Sequence, residues 1–561
     1  MIHRRKFLQA LGAAAPAPLF APTAGLAAKA SRTIADVEPR LFLRDDFHSL
    51  AGISPPLEKS DVTKTVDVLA GSSVNTLIFS LGSRGGMCLY DTKVGQMHST
   101  NVTKWTHPVN YRDALHMRQL ATEGWDRPQL FCDRCHEEGI LFFASAPLNI
   151  GADTTDRSRG LGRTSDFVFN NPQLRVGVDS DPRAQHVSPT RLNFMRPEVR
   201  EERLRIYEEF LTRYETDGVE VQSEVLPLCQ YRETTRCAPL LTEWFRRLKA
   251  IAIKAEKAQR MRKRVYARVP TNPKVWEVVG FEVKTWIAEN LVDGLICSPS
   301  DPELFDQDLD LAPVVGLARD SGCRILVECG TSIQRRRESR VTPSMLWGAA
   351  ANAYHQGANG FGINDMVRSQ EISYLDDMYA SLRPLASPER LATADKTYHV
   401  RDLPKNPSSF GTGLPGTDPV LPRILELGKP QSIPLRIADD LPRWTALDRV
   451  SSVRLRIRLN ALEPSLNELK FELNGQPIPE THLEITDLNY RFVNEGVAYQ
   501  GSHIFDFELG PDHYPKRGKN VVTITLVRRD PDVEMEFQIQ DVDCVVEYHH
   551  HRHFGRDPID Y

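Results

Sequence analysis

The sequence predicts an α/β protein: a (β/α)8 TIM barrel followed by a C-terminal antiparallel β-sandwich. Three observations carry this reading. Eight short apolar runs alternate with amphipathic helical stretches between residues 40 and 365. A Pro/Gly/Ser-rich stretch, "KNPSSFGTGLPGTDP", interrupts the pattern after residue 395. Beyond it, segments of strict polar–apolar alternation are separated by the turn signals "LNGQ" and "KRGKN". A doubly wound open sheet is the rival, but it usually carries a glycine-rich phosphate turn after its first strand. "GSRGG" follows the second strand instead and has no helix opening at the right spacing.

In chain order, residues 1–30 read as a twin-arginine export signal. Arg4 and Arg5 precede Phe7 and Leu8, then a mildly apolar Ala-rich run, and "AKA" at 28–30 supplies small residues for cleavage. The mature chain is expected to begin near Ser31, to be periplasmic or secreted, and to carry no membrane span. The barrel takes residues 38–395. Its expected strands are 40–46, 74–82, 139–146, 217–224, 264–270, 292–300, 323–330 and 359–365, with long insertions in the early loops. Residues 396–420 read as a linker, 421–550 as the sandwich, of jelly-roll type and with a structural role, and 551–561 as a tail.

At 561 residues the chain is too long for a single ordinary core. With 41% hydrophobic and 26% charged residues and a net charge of −4, it has no strongly basic domain, which argues against nucleic acid. Its nine cysteines are too scattered for a disulfide scaffold. Cys132 and Cys135 form a CxxC on a helical pattern that reads as core or helix surface, and the His-rich "YHHHRHFG" follows the last strand. No metal or cofactor is expected.

"DGVEVQSE" is the fourth strand. Alternation sends Val219 and Val221 to the helices and lines Glu220, Gln222 and Glu224 up the inner wall toward the mouth. In "RILVECG", the seventh strand, Ile325 and Val327 face outward and leave Glu328 inward. Carboxyls on strands four and seven oppose each other where barrel chemistry sits, as glycoside hydrolysis requires. Glu220, Glu224 and Glu328 are therefore the candidate catalytic groups. Glu220 is the favoured proton donor provided that no arginine reaches it. Arg268, inward on strand five, is the partner that would hold either acid ionised.

Candidate substrate-binding residues are Asp45 and Asp46 ending strand one, Asn149 after strand three, Gln222 on strand four, Arg268, and Asn364 with Asp365 ending strand eight. Trp286 reads as core, whereas Trp105 and Trp125, in the insertion after strand two, are the better candidates for stacking a sugar ring. Two arginine runs, Arg157, Arg159 and Arg163 after strand three and Arg335, Arg336, Arg337 and Arg340 after strand seven, would gather an anionic chain at the mouth.

On "LNFMRPEVREERLRIYEEFLTRYETDGVEV", "ARVP", "GFEVKTWIAENLVDGLI" and "AANAYHQGANGFGINDM", the chain resembles a family of secreted bacterial glycosyl hydrolase-like barrel proteins over about residues 38–395. That family's strand-four pattern is D-G-[IV]-E-[LV]-D. Asp217, Gly218 and Glu220 fit it, Gln222 replaces the final Asp, and the third-strand motif is reduced to Asn149. The resemblance implies an exported glycosidase-like barrel. The function expected is hydrolysis of a polysaccharide or its oligosaccharides by paired carboxylates. The alternatives are a catalytically silent carbohydrate-binding barrel or scaffold, and a lyase for acidic sugars.

Overall fold

A computed structural model describes residues 34–45, 50, 52–184, 187–223, 226–299, 305–330, 333, 341–364, 381–400, 414, 420–488 and 502–550. The export signal, Asp46, Glu224, Asp365, Arg335–Arg337, Arg340 and the tail lie outside the described residues, as does most of the expected linker.

Eight parallel strands close into a barrel in sequence order: β1 (Leu41–Asp45), β2 (Thr76–Ser80), β3 (Leu141–Pro147), β4 (Gly218–Gln222), β5 (Arg264–Pro270), β6 (Gly294–Ser298), β7 (Arg324–Cys329) and β8 (Gly360–Asn364). Seven fall inside a run expected to be a strand, and β3 runs one residue past its expected end, to Pro147. Alternation separates two cores. Leu41, Leu77, Phe142, Val219, Val265, Leu295, Ile325 and Phe361 pack outward against the helix layer. Phe42, Ile78, Leu141, Phe143, Tyr266, Ile296 and Leu326 fill the barrel interior. Large inward rings need absent side chains opposite them. A Cβ at Gly362 would fall 2.1 Å from the Phe42 ring, and one at Gly294 would fall 2.2 Å from the Tyr266 ring.

The base of the barrel repeats one device four times. The Asn or Asp just before each even-numbered strand accepts a backbone N–H from the start of the preceding odd-numbered strand. The pairs are Asn75 with Leu41 (3.1 Å), Asp217 with Phe142 (2.8 Å), Asp293 with Val265 (2.8 Å) and Asn359 with Ile325 (2.8 Å). Each side chain thereby pairs a buried backbone donor that would otherwise lack a partner at a strand end. At β4 the following glycine matters as well, because a Cβ at Gly218 would meet the Arg264 carbonyl at 2.3 Å.

Among the described residues, ten more strands, two of them only two residues long, form two antiparallel sheets packed as a sandwich around their own core. They are β9 (Lys396–His399), β10 (Arg423–Ile424), β11 (Gln431–Ile437), β12 (Val450–Asn460), β13 (Glu468–Leu473), β14 (Gln476–Pro477), β15 (Leu483–Asp487), β16 (Ser502–Glu508), β17 (Gly518–Arg528) and β18 (Gln538–Tyr548). One sheet runs β10-β18-β12-β16-β15 with β9 also on β18, and the other runs β11-β17-β13-β14. The first four residues of the expected linker thus belong to the sandwich. Tyr398 is buried there and donates to Asp439 at 2.8 Å, an anchor that gives this short segment a reason to pair.

Candidate active site at the barrel mouth

The upper inward positions of the barrel are polar. Glu220 on β4 and Glu328 on β7 both reach Arg268 on β5. Arg268 Nε lies 3.1 Å from Glu220 Oε1, and Nη2 lies 3.1 Å from Glu328 Oε2. Two carboxyls on one guanidinium stand closer than the roughly 9.5 Å upper limit for paired-carboxylate glycosidases. Both glutamate side chains are 0% exposed and that of Arg268 only 4%, so the triad sits in a low-dielectric wall where charge pairing is strong.

Neighbouring elements fix these groups. Ser145 on β3 donates its hydroxyl to Glu220, which its register partner position across β3 and β4 places alongside. Ser223 donates to the Arg268 carbonyl, tying the exit of β4 to β5. Tyr207, on the helix Pro197–Arg213, donates to the carbonyls of Ala146 and Glu220, the latter at 3.3 Å. Its hydroxyl is pushed above the usual tyrosine range, by burial first and then by the Glu220 charge, so it stays a donor.

The condition for Glu220 as proton donor is not met. Arg268 reaches it, with Nε 3.1 Å from Oε1. Asp45 also departs from expectation. Phe42 and Arg44 take the inward positions of β1, which turns Asp45 outward, where the Thr65 hydroxyl donates to it at 3.4 Å and Arg127 feels its charge. Asp45 therefore sits in the helix layer and not at the rim.

Other expected residues do gather at the mouth. Arg44 donates to Asn364 at 2.8 Å, so the end of β8 lies against β1 in the inner wall. Asn149 and Gln222 are buried. Both polar atoms of the Asn149 amide, and the Gln222 Oε1, have no hydrogen-bond partner among the described residues. Such groups are costly unless something binds them. Arg44 and Ser145 were missed by sequence reasoning, although the alternation that placed Glu220 also places them inward.

The aromatic candidates divide. Trp125 packs against the small core of Leu50, Leu57, Val62, Met117 and Leu120. Trp105 lies 5.0 Å from the Tyr111 ring with the Arg118 guanidinium 5.0 Å from its own ring. Trp286 is fully buried, in the helix layer. Arg157 is occupied by Asp166 at 2.6 Å and lies over the Phe169 ring. Arg163 lines a cavity of about 390 Å³ at the exits of β2 and β3, together with Arg84, His98, Asp113 and Asp153. Cys132 and Cys135, on the helix Arg127–Glu137, are enclosed in the helix-layer core.

No family model matches the chain, and no curated protein matches it. Among solved structures it is similar to α-L-fucosidase isoenzyme 2 from Paenibacillus thiaminolyticus, at 11% identity over 64% of this chain and 51% of that one, with a TM-score of 0.39. The chain thus spans about half the length of that fucosidase. It is also similar to the PgaB (BpsB) glycoside hydrolase domain from Bordetella bronchiseptica, at 13% identity over 62% of this chain and 99% of that one, TM-score 0.38. A third likeness is to the maltogenic α-amylase AmyB from Thermotoga neapolitana, at 10% identity over 87% and 99%, TM-score 0.34.

Proposed function

We propose that this protein is an exported glycoside hydrolase acting on a polysaccharide or its oligosaccharides at the C-terminal mouth of the barrel. The observation that supports this most is the gathering of Glu220 and Glu328 on Arg268, beside the Asn149 amide and the Gln222 Oε1, which have no hydrogen-bond partner among the described residues. In this reading Glu328 attacks the anomeric carbon or activates water, and Glu224, two residues beyond Gln222 in the sequence, protonates the leaving oxygen. Glu220 is a positioning residue that keeps the guanidinium in place. Asn149, Gln222 and Asn364 hydrogen-bond sugar hydroxyls. Preference for an acidic chain, the finer proposal, rests on Arg84 and Arg163 together with the arginines of 335–340.

One observation favours a second reading, a carbohydrate-binding barrel without turnover: Arg268 stands on both carboxylates and the three side chains are enclosed. Mature protein screened against a polysaccharide panel with reducing-end detection separates the two. Release of reducing ends, lost by roughly 10²–10⁴-fold in Glu328→Gln and in Glu224→Gln, is the result expected of the hydrolase. Binding without release in the unsubstituted protein establishes the silent barrel instead.

A further inference from the structure

A cavity of about 380 Å³ opens between the two domains, within the size range of ligand pockets. Its barrel wall comes from the exits of β5 and β6, at Thr271 and Ser298, and from Asp306 and Gln307 on the segment that follows β6. Its sandwich wall comes from His399 on β9 and Arg436 on β11. The wall is fixed and not a loose crevice. Arg436 pairs with Asp308 at 2.7 Å, its carbonyl accepts from Asn352 at 3.1 Å, and His399 Nδ1 lies 2.8 Å from Asp543.

The cavity opens beyond the strand ends that carry Arg268. Thr271 lies three residues past Arg268 at the exit of β5, and Ser298 lies two residues past Ile296, the register partner of Arg268 on β6. Gln307 is 5% exposed, and its Oε1 has no hydrogen-bond partner among the described residues. The lining combines hydroxyl, amide, carboxylate and imidazole groups with the apolar faces of Pro273, Pro299 and Pro434. That mixture suits a sugar, which presents hydroxyls at its edge and C–H groups on its faces. Three carboxylates, Asp306, Asp308 and Asp310, against the two cations Lys274 and Arg436 disfavour a uronate or sulfate here.

We propose that this interdomain cavity is a distal subsite that binds a neutral sugar residue of the chain whose scissile bond lies at the barrel mouth. The proposal rests on the carbohydrate reading above. It makes the sandwich part of the binding site and makes affinity depend on chain length, because the cavity adds contacts for a sugar unit beyond those seated at the mouth.

The test uses the full mature chain carrying Glu328→Gln, so that ligands survive, and calorimetric titration with xylo-, manno- and cello-oligosaccharides of three and six units. Pro434→Trp fills the cavity from the sandwich side and Lys274→Trp from the barrel side. Both positions are exposed, so folding is retained and is checked by thermal unfolding. The expected result is that the six-unit ligand loses about ten-fold in affinity in each variant, while the three-unit ligand changes by less than about two-fold. Unchanged six-unit binding in both variants, or equal losses for both lengths, overturns the distal subsite and leaves the mouth reading intact. No binding of any saccharide, with no turnover by the unsubstituted protein, overturns both.

Discussion

Glu328 and Arg268 stand on strands that are not neighbours, β7 and β5, yet their charged ends meet at 3.1 Å inside the barrel. A guanidinium on β5 can do this because β6 offers only Ile296 and Ser298 between them on the inner face. The same cation holds Glu220 at 3.1 Å. The wall therefore carries two anions and one cation where most barrels carry apolar layers. Such a cluster is stable only while the cation remains.

Arg268→Met tests this directly. With the guanidinium gone, two carboxylates share an enclosed space and one takes a proton, so its pKa rises above the unfolded value. A raised carboxyl pKa stabilises the fold below the unfolded pKa and loses that contribution as pH rises through the folded pKa. Urea unfolding should show a loss of about 3–5 kcal/mol at pH 8 and clearly less at pH 5. Equal losses at the two pH values would show that the carboxylates do not interact.

The base of the barrel gives a second test, at Asp217. Its Oδ2 accepts from the Phe142 N–H at 2.8 Å and lies 3.0 Å from His136 Nε2. Asp217→Ala leaves a buried donor without a partner and should cost about 1–3 kcal/mol. Asp217→Asn should cost less, because Asn75 and Asn359 play the same part at β2 and β8 with an amide oxygen. Chemical denaturation of the two variants would settle the order, and an alanine variant as stable as the parent would remove the base device.

Much of this was readable beforehand, for a physical reason. A strand buried on both sides must alternate between helix layer and barrel interior, so "DGVEVQ" and "RILVEC" fixed the direction of Glu220 and Glu328 before any coordinate. The meaning of "DG" in the fourth strand was hidden. Asp217 and Gly218 serve the base of the barrel, far from the mouth, and only the pairing of β4 with β3 and β5 reveals it. Asp45 was misplaced by a single residue of phase: Arg44 and Asp45 are both polar, and nothing local says which one faces inward. The Arg268 bridge was foreseen as a partner for one acid. That it serves both depends on the barrel's curvature, which no one-dimensional pattern contains. The β9 strand was lost in the linker because four residues beside a Pro/Gly-rich run carry too little periodicity to register.

The rim amides should separate function from stability. Asn149 and Gln222 are buried with polar atoms that lack partners among the described residues, which costs the fold. Asn149→Ala is therefore expected to leave the unfolding free energy unchanged or slightly raised. Saccharide affinity should fall by about ten-fold in the same variant, the loss of one hydrogen-bonded group. A variant that loses stability while keeping affinity would assign Asn149 to the fold alone.

The last prediction concerns acid. His98 is buried beside the cavity at the exits of β2 and β3, its Nδ1 2.8 Å from the Ser99 hydroxyl, with Arg163, Arg84, Asp113 and Asp153 lining the same space. Burial first, and the Arg163 charge second, lower its pKa from 6.5 to about 3. The folded protein therefore keeps His98 neutral at pH values where the unfolded chain would protonate it. A depressed folded pKa gives stability that is fully present above the unfolded value and is lost as pH falls toward the folded one. Between pH 6.5 and about 3 the unfolded state binds the extra proton, and this residue alone contributes a slope of up to about 1.4 kcal/mol per pH unit. His98→Asn has no such proton to take up, and its amide can still meet Ser99. Thermal unfolding measured from pH 7 to pH 4 should therefore fall less steeply in the variant than in the parent. Parallel curves would mean that His98 is already protonated in the folded protein, and that another buried group sets the acid limit of the fold.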